Sequence, residues 1–488
     1  MIENSLRILL KNTLTQKLEP LILNRSKTTK LFVCGITPYN DAHIGHARTY
    51  IFFDILIRFL RNKGVKIYYL QNVTDIDDKI ISGARAKKIN PIKYARNFEK
   101  SFREDMRSLK VISVTKYARA SEHIPLIIKQ IRTLVKKGHA YTIPNDGLYF
   151  DLKTYADYGK LAKRTIDQAE QATSRVDDSD KKRNKGDFAL WKFPEMGSLK
   201  KLATLKNTKL YTKKIIEGEP LYFTEYGWGR PGWHIEDTAI SEYYFGPQYD
   251  IHGGAIDLIF PHHEAELSQQ ESASGKVPFV RLWVHTGFLL VNGEKMSKSK
   301  GNFITIKDFL KYSKPNILRL IVLMHHYSSP INFSDELVQQ AKNNIKSLEI
   351  FLYKLNLIIT KNNSKNDYIK LEFDKMISKM EEAHYNDFNT SLALGHIFSF
   401  INIINNELEY ISFHLKKEIR KSIFNIFKIW GIELSTIKIP QNIIKLCQKR
   451  EIFRVSKNWV DADKIRDIIT NFGFEIEDTE SGPIIMPL

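Results

Sequence analysis

Cysteine is almost absent from this chain, with two residues, Cys34 and Cys447, among 488. Two cysteines cannot form a disulfide network, so the sequence predicts a protein of a reducing compartment. Apolar runs of the roughly 18 residues needed to span a bilayer are also missing. The apolar stretch at residues 6–10 contains Arg7 and is too short for a signal peptide. We therefore expect a cytoplasmic protein without a membrane partner.

Acidic residues are fewer than basic ones. The 55 Asp and Glu residues stand against 74 Lys and Arg, which leaves a formal net charge of +19. Such an excess predicts long-range attraction to a polyanion, with nucleic acid as the first candidate, although a lysine-rich solubilising surface has the same composition. At roughly 150 residues per domain, the length predicts about three domains.

The pattern of apolar residues predicts an α/β fold followed by helices. Residues 30–34 and 65–73 are typical of buried strands, and a helix is predicted between them from His43 to about residue 62. This is a βαβ unit of a parallel sheet. Residues of about 90–140 are predicted helical, and the three- and four-residue spacing of apolar residues over 316–430 predicts a helix bundle.

Two segments far apart in the sequence carry the side chains of a phosphate site. His43-Ile-Gly-His46 lies at the start of a predicted helix, where free N–H groups attract phosphate and Gly45 permits close approach of a nucleotide. Lys295-Met-Ser-Lys-Ser299 is a lysine-rich loop that is suited to a triphosphate. Taken separately, the first could be core packing and the second a solvated loop.

Together these segments resemble the signature motifs of class I aminoacyl-tRNA synthetases, and five further stretches resemble cysteinyl-tRNA synthetases in particular. These stretches are Val33-Cys-Gly-Ile-Thr-Pro-Tyr39, Asn72-Val-Thr-Asp-Ile-Asp-Asp78, Gly229-Arg-Pro-Gly-Trp-His-Ile-Glu236, Asp250-Ile-His-Gly-Gly254 and Phe260-Pro-His-His-Glu264. The resemblance implies a Rossmann-type parallel-sheet catalytic domain over residues 1–315 with a connective insertion at about 105–230. It implies a helix-bundle tRNA-binding domain over 316–440 and a small α+β anticodon-recognition module over 441–488.

The resemblance also implies the reaction, in which L-cysteine and ATP with Mg²⁺ give cysteinyl-adenylate, and the cysteinyl group moves to the 3′-terminal adenosine of tRNA(Cys). Family members are usually monomers, and we expect a monomer. The implied catalytic and ATP-binding residues are His43, Gly45, His46, Lys295 and Lys298. Those implied for the cysteine pocket are Thr74, Trp233 and His252, although Trp233 could instead be a core residue.

The family's zinc site has two Cys, one His and one Glu as ligands, which correspond here to Cys34, Asp237, His262 and Glu266. The family pattern Trp-His-Ile-Glu-Cys has become Trp233-His-Ile-Glu-Asp237. Aspartate is also a zinc ligand and keeps the formal charge of the site. We expect the metal to be retained and more Lewis-acidic. The alternative is a lost metal and a plain buried thiol at Cys34.

Anticodon contacts are implied for Arg454, Trp459 and Asp463. The alternatives are an Asp463–Arg466 surface pair and a Trp459 that covers the small core. Residues 196–220 have no counterpart in the family, carry six lysines and two glutamates, and are expected to be solvated surface. Two other functions stay open at this point: a cysteine-activating ligase with an amino-sugar acceptor, and a non-catalytic RNA-binding paralogue.

Overall fold

A computed structural model describes residues 5–164, 168, 179–202, 205, 208–297, 300–357, 360–479 and 482–488. Lys298, one of the expected ATP-binding residues, lies outside this range. The chain divides into two compact units. The first comprises Met1–Pro315, His325–Phe333 and Tyr385–Phe388, and the second Asn316–Met324, Ser334–His384 and Asn389–Leu488. Among the described residues, no helix is both long and apolar enough to cross a membrane.

The strands are β1 (Ser5–Lys11), β2 (Leu18–Asn24), β3 (Thr28–Ile36), β4 (Lys66–Val73), β5 (Lys116–Arg119), β6 (Ala140–Ile143), β7 (Gly147–Phe150), β8 (Phe188–Lys192), β9 (Lys213–Ile216), β10 (Glu219–Thr224), β11 (Gly227–Pro231), β12 (Tyr249–Ala255), β13 (Val280–Thr286), β14 (Leu289–Val291), β15 (Glu294–Lys295), β16 (Ile331–Phe333), β17 (Phe474–Thr479) and β18 (Gly482–Pro487).

The helices are α1 (Ile44–Asn62), α2 (Asp78–Ala86), α3 (Pro91–Ser108), α4 (Ile124–Lys136), α5 (Met196–Leu202), α6 (Ile235–Phe245), α7 (Glu264–Ser274), α8 (Ile306–Tyr312), α9 (Pro315–Leu323), α10 (Asp335–Leu357), α11 (Asn366–Tyr385), α12 (Thr390–Ile404), α13 (Phe413–Ile429), α14 (Gln441–Val455) and α15 (Trp459–Asn471).

A five-stranded parallel sheet with the order β13-β12-β3-β4-β5 forms the centre of the first unit. Leu31 on β3 pairs with Tyr69 on β4 and with Ile251 on β12. The central strands are buried on both faces, which explains why they appear in the sequence as continuous apolar runs rather than alternating ones. The predicted βαβ unit is therefore confirmed as β3, α1 and β4. Because the strands are parallel, the polar residues after β3, β4 and β12 meet at one edge of the sheet.

The helical prediction for residues of about 90–140 is wrong for Lys116–Arg119, which form β5 at the edge of the parallel sheet. Helices α3 and α4 flank this strand. The four-residue strand is too short to give a two-residue alternation, and only its pairing with β4 defines it. The strand at this position therefore depends on tertiary contacts and not on its local sequence.

A six-stranded antiparallel sheet, ordered β6-β7-β8-β11-β10-β9, comes between β5 and β12 in the sequence. The described part of residues 196–220 forms α5, β9 and the start of β10, and the two strands belong to this sheet. Leu202 at the end of α5 is buried against Leu221 and Trp228. The lysines of β9, Lys213 and Lys214, are exposed on an edge strand, where lysine discourages pairing with other chains.

A β-hairpin presents the lysine-rich loop. Strands β14 and β15 pair antiparallel, and β14 also pairs with β16. The turn residues Asn292 and Gly293 have φ values of 51° and 81°, the left-handed conformations that an Asn-Gly hairpin turn requires. The hairpin ends at Lys295, the first lysine of the loop.

In its described residues, the second unit consists of helices and one hairpin, β17–β18, with their connections. Helices α10 to α13 form the bundle predicted for this region, and each buries an apolar stripe. Near the C-terminus, α14, α15 and the hairpin share a small core. This core contains Ile443, Cys447, Ile465, Ile469, Ile476 and Ile485. Pro440 precedes α14.

Candidate active site

The carboxyl edge of the parallel sheet opens into a cavity of about 350 Å³. Nine of the expected site residues line it: Cys34, His43, Gly45, His46, Thr74, Trp233, Asp237, His262 and Lys295. His252 and Glu266 are not among the lining residues; both are buried and contact Cys34, which does line the cavity. Side chains from positions 34 to 295 therefore meet around one space.

The histidine motif, residues 43–46, begins helix α1 with a reciprocal cap. His43 Nδ1 accepts hydrogen bonds from the N–H groups of Gly45 at 3.1 Å and His46 at 3.3 Å, while His46 Nδ1 accepts the His43 N–H at 3.3 Å. Each Nδ1 is thus an acceptor, and the neutral ring carries its proton on Nε2. The rings are stacked with their centroids 3.8 Å apart. Capping through Nδ1 leaves both Nε2–H groups as donors.

Burial keeps these two imidazoles neutral. It lowers the pKa of His46 to about 4, and burial together with the neighbouring His46 lowers the pKa of His43 to about 3. Protonation of Nδ1 would also break the cap, which agrees with the direction of both shifts. At neutral pH the motif therefore offers two uncharged N–H donors to a phosphate. The first N–H groups of α1, which the sequence predicted to be free, are instead bonded within the protein, to His43 and to the Ile304 carbonyl.

The histidine motif and the lysine-rich loop adjoin directly. The Ile44 N–H donates to the Ile304 carbonyl at 3.1 Å, and His43 forms a β-bridge with Thr305. A Cβ placed on Gly45 would lie 2.8 Å from the His43 ring and 2.9 Å from Met296 Cε, so the glycine makes room for the capping ring and for the tip of Met296. The Lys295 ammonium lies 3.5 Å from Asp257 Oδ2 at the cavity wall.

Four buried side chains at the other end of the cavity form a group that we call the four-donor group: Cys34, Asp237, His262 and Glu266. Their ligand atoms all lie within 4.8 Å of one another. His262 Nε2 is 3.0 Å from both Asp237 Oδ2 and Glu266 Oε1, and Cys34 Sγ is 3.3 Å from Asp237 Oδ2. The donors come from the end of β3, from α6 and from the start of α7.

The four-donor group fits a divalent cation. Asp237 Oδ1 and Glu266 Oε2 are buried and make no hydrogen bond within the described parts of the chain. Burial, followed by the charges of Glu266 and Asp237, raises the pKa of Cys34 well above its ordinary value. A thiolate and two carboxylates would carry three negative charges in a buried space, which a cation would offset. One sulfur, one imidazole and two carboxylates are all donor types that zinc accepts.

Protonation within this group depends on the same charges. Burial opposes protonation of His262, but Glu266 and Asp237 outweigh it and raise its pKa to about 10. Burial raises the pKa of Glu266 to about 7, with His262 acting against the shift and Asp237 adding to it. A cation would replace the proton that these groups otherwise share, since metal ligands bind in their deprotonated forms.

A row of three imidazoles, from His252, His263 and His285, lies behind Cys34, and no role is predicted from the sequence for His263 and His285. His263 Nε2 is 3.1 Å from Cys34 Sγ, and its Nδ1 is 2.7 Å from His285 Nε2. His252 Nε2 is 3.7 Å from the same sulfur, with its Nδ1 2.7 Å from the Tyr249 hydroxyl. Burial lowers the pKa of His285 to about 3. His252 lies within β12 and His285 near the end of β13, and these two strands are parallel neighbours. A histidine on each of two adjacent apolar strands is the signal that could have revealed part of the row.

Two residues expected in the cysteine pocket line the cavity near the four-donor group. The Trp233 ring is stacked on His262 with centroids 4.3 Å apart, and 36% of the residue is exposed, so it is not a core tryptophan. Thr74 is buried, and its hydroxyl donates to Glu236 Oε1. Glu236 also accepts from Asn72 at 3.5 Å and so connects the end of β4 with α6.

The profile of the family described as tRNA synthetases class I (C) catalytic domain matches residues 21–343. A cysteine–tRNA ligase from Thermoplasma volcanium is 41% identical to this chain over 472 residues, covering 96% of this chain and 98% of the relative. One from Thermoplasma acidophilum is 39% identical over 473 residues, covering 96% and 97%. The chain belongs to the cysteine–tRNA ligase family.

The fold agrees with this membership. A methionyl-tRNA synthetase from Mycobacterium tuberculosis, solved with methionyl-adenylate, superposes with a TM-score of 0.56 at 15% sequence identity. The match covers 83% of this chain and 90% of that chain. At that identity the likeness concerns the fold, which is the predicted Rossmann-type sheet followed by helices.

The three residues expected at the anticodon lie in the second unit of this family member. Trp459 is 57% exposed and therefore does not fill the small core. Arg454 donates to the carboxylates of Asp478 and of Glu451, the latter at 3.3 Å. Asp463 is exposed on α15, while Arg466 donates to the Ile476 carbonyl at 3.3 Å.

Proposed function

We propose that this protein joins L-cysteine to tRNA(Cys) in two steps. In the first step a carboxylate oxygen of cysteine attacks the α-phosphorus of ATP, the bond to the β-phosphate oxygen breaks, and pyrophosphate leaves. In the second step a hydroxyl of the 3′-terminal ribose attacks the cysteinyl carbonyl. The hydroxyl loses its proton, the bond to the phosphate oxygen breaks, and AMP leaves.

One observation carries this proposal: a single cavity has groups suited to phosphate at one end and, at the other, a donor set of the kinds that zinc accepts. A site for adenylate formation needs both a nucleotide triphosphate and the amino acid, with their reacting atoms in line. The histidine motif and Lys295 supply the first end. The four-donor group and Trp233 supply the second.

At the nucleotide end, His43 and His46 donate Nε2–H bonds to phosphate oxygens as negative charge develops on them. Both rings are neutral, so they act as hydrogen-bond donors and not as cations. Lys295 and Lys298 supply the positive charge that favours departure of pyrophosphate. Mg²⁺ enters with ATP as part of the substrate.

At the cysteine end, Cys34, Asp237, His262 and Glu266 would hold one zinc ion. A zinc ion there would bind the substrate's sulfur and lower its pKa, which distinguishes cysteine from serine more strongly than size can. Thr74 and Trp233 shape the pocket around the amino acid. The imidazoles of His252 and His263 contact Cys34 from the buried side and restrain the orientation of its thiol.

In the second unit we assign anticodon contacts to Arg454, Trp459 and Asp463. The exposed Trp459 ring is suited to stacking on an unpaired base, the usual way in which single-stranded RNA is recognised. Arg454 would exchange its carboxylate partners for a base edge. We expect the protein to act as a monomer, because the cavity is complete within one chain.

The direct experiment compares cysteine-dependent ATP–pyrophosphate exchange with charging of a tRNA(Cys) transcript. We expect both activities in the wild type. In Lys298→Ala, exchange should fall about 10²–10³-fold, the usual cost of removing one group that stabilises transition-state charge. Binding of tRNA(Cys) by this variant should be largely kept.

The control is Lys311→Ala, which removes an exposed lysine of α8 that pairs with Asp308. Exchange at the wild-type rate in Lys298→Ala would contradict the role of that lysine. Exchange without any charging of tRNA would point to another acceptor, such as an amino sugar. Binding of tRNA without exchange would leave only the non-catalytic function.

A further inference from the structure

A second set of four metal-binding side chains lies directly behind the four-donor group. We call it the inner donor group: Cys34, His252, His263 and Glu266. All four residues are buried, and their ligand atoms lie within 4.8 Å of one another. The two groups share Cys34 and Glu266 and differ in their other two members.

The separations within the inner donor group are close to those of a tetrahedral zinc site. Cys34 Sγ is 3.7 Å from His252 Nε2 and 3.6 Å from Glu266 Oε1, and it is 3.1 Å from His263 Nε2. His252 Nε2 is 3.6 Å from Glu266 Oε2. Zinc bonds of about 2.0–2.3 Å at tetrahedral angles place the ligand atoms about 3.3–3.7 Å apart. A zinc ion among these atoms therefore requires only small shifts of the side chains.

Hydrogen bonds hold both imidazoles of this group with Nε2 towards the sulfur. His252 Nδ1 is 2.7 Å from the Tyr249 hydroxyl, and His263 Nδ1 is 2.7 Å from His285 Nε2. His285 Nδ1 is in turn 2.7 Å from the Thr13 hydroxyl. When each Nδ1–H donates to its partner, the Nε2 lone pairs of the first two rings face the sulfur. A hydrogen bond at the far ring nitrogen is what orients a metal-binding histidine.

The Glu266 carboxylate faces both groups. Its Oε1 atom is 3.0 Å from His262 Nε2 of the four-donor group, whereas its Oε2 atom is 3.6 Å from His252 Nε2 of the inner donor group. Oε2 is buried and makes no hydrogen bond within the part of the chain that the structure describes. A buried carboxylate oxygen without a donor is costly, and a cation in the inner donor group would bind it.

By donor type and charge, the inner donor group is at least as good a zinc site as the four-donor group. It offers one thiolate, two imidazoles and one carboxylate, where the four-donor group offers one thiolate, one imidazole and two carboxylates. Imidazole suits zinc, whereas carboxylate suits harder cations. With Zn²⁺ the inner donor group is formally neutral and the four-donor group carries one negative charge, and a neutral site costs less to bury.

The two groups differ in their access to the cavity. Cys34, Asp237 and His262 line it, so a substrate sulfur can reach an ion held in the four-donor group. Of the inner donor group, Cys34 alone is among the lining residues. An ion held by the two histidines behind Cys34 is therefore out of the substrate's reach.

We propose that the zinc ion has two positions in this protein, one in each group, and that substrate cysteine draws it from the inner donor group into the four-donor group. The inference rests on the proposed function, because it concerns the same ion. The shared sulfur and carboxylate mean that a single ion occupies the positions alternately. Cysteine adds its own sulfur only to an ion in the four-donor group, and this differential binding shifts the population towards that position.

The experiment removes each position separately. Asp237→Asn/His262→Gln leaves the inner donor group intact, and His252→Gln/His263→Gln leaves the four-donor group intact, so each double variant is the control for the other. Amide side chains keep much of the volume and replace ionisable donors by uncharged ones. Zinc per chain is measured by mass spectrometry. X-ray absorption with and without cysteine counts the imidazole and sulfur ligands, and thermal unfolding shows whether each variant is folded.

We expect both double variants to retain one zinc ion per chain. In Asp237→Asn/His262→Gln the ion should have two imidazole ligands and one sulfur, and cysteine should add no second sulfur. In His252→Gln/His263→Gln it should have one imidazole, and cysteine should raise the sulfur count from one to two. In the wild type, cysteine should add a sulfur and lower the mean number of imidazoles.

Loss of zinc from a folded Asp237→Asn/His262→Gln variant would overturn the inference, and so would a single imidazole on its ion or two zinc ions in the wild type. Should this variant not fold, the wild type decides: an imidazole count that cysteine does not lower would overturn the inference. Failure of the proposed function would look different, because the wild type would then lack zinc altogether or show no cysteine-dependent exchange.

Discussion

The two ends of the cavity are built in different ways. At the nucleotide end, four consecutive residues supply the histidine donors: His43 and His46 cap each other's backbone and so fix their own ring orientations. At the metal end, the four-donor group takes one residue each from β3 and α6 and two from α7 with the turn before it. The first site depends on local structure, whereas the second depends on the packing of the whole parallel sheet.

This difference affects what a substitution can do. A change within the histidine motif removes a donor or a cap, and the neighbouring helix remains packed. A change within the four-donor group leaves buried charges without their partners, and the remaining donors no longer make a complete cation site. We therefore expect that removal of a donor at the metal end costs more activity than removal of a donor at the nucleotide end, whereas exchange of one zinc ligand type for another costs little.

The largest expected effect is that of Cys34→Ser. Loss of the only sulfur donor should abolish binding of zinc and lower cysteine-dependent exchange about a thousandfold or more, since a bound cation contributes several kcal/mol. Metal analysis by mass spectrometry checks the first part. The matched control is Cys447→Ser in the second unit, which should retain the metal. Zinc at the wild-type level in Cys34→Ser would remove Cys34 from the site.

The next effect is that of His46→Asn. Asparagine can keep the acceptor that caps the His43 N–H but lacks the Nε2–H donor, so exchange should fall about 10²–10³-fold while the zinc content stays unchanged. His46→Gln, which restores an N–H near the Nε2 position, should recover part of the rate. Equal losses in both variants would assign His46 a capping role only.

The histidine motif also predicts a pH dependence of stability. The pKa of His46 is lowered by burial from 6.5 to about 4. Between these values the unfolded chain binds more protons than the folded one. The free energy of unfolding therefore has its full value with respect to His46 above pH 6.5, and it decreases as the pH falls. At pH 5 the loss amounts to about 2 kcal/mol. Denaturant midpoints at pH 7.5 and 5 should differ less in His46→Asn than in wild type; an identical difference would contradict a neutral buried His46.

The smallest effect is expected for Asp237→Cys. The formal charge of the four-donor group is unchanged, so zinc should remain bound and exchange should change by less than about tenfold. Selection of cysteine over serine, measured as the ratio of kcat/KM values for exchange, is the more informative quantity. Loss of zinc in this variant would show that the site has adapted to a carboxylate and no longer accommodates a second thiolate.

The contrast between a locally built site and one assembled from distant segments also determines how much could be predicted from the sequence. The histidine motif is local, and its helix and its place after β3 are readable from a few residues. His262 and Glu266 are four residues apart on one segment, a spacing that places two side chains on the same face of a helix. The imidazole of His263 reaches Cys34, and that of His285 reaches His263, through the packing of the turn before α7 against the parallel sheet, which no spacing within one segment reveals. Strand β5 was missed for the same reason, because its four residues are defined by their pairing with β4.

Family resemblance and structure give different information about position 237. The resemblance marks Asp237 as unusual for the family. The structure adds that its Oδ2 atom is 3.0 Å from His262 Nε2 and that its Oδ1 atom makes no hydrogen bond to the described residues. A buried carboxylate with a free oxygen is costly unless something binds it. This cost is the physical reason for expecting a cation at the four-donor group.

Zinc K-edge X-ray absorption of the purified protein, with and without bound cysteine, tests the central claim most directly. We predict one sulfur at about 2.3 Å and otherwise nitrogen and oxygen donors at about 2.0–2.2 Å in the free protein. Bound cysteine should add a second sulfur. A protein that contains no zinc yet activates cysteine, or a zinc ion whose sulfur count does not change when cysteine binds, would contradict the account.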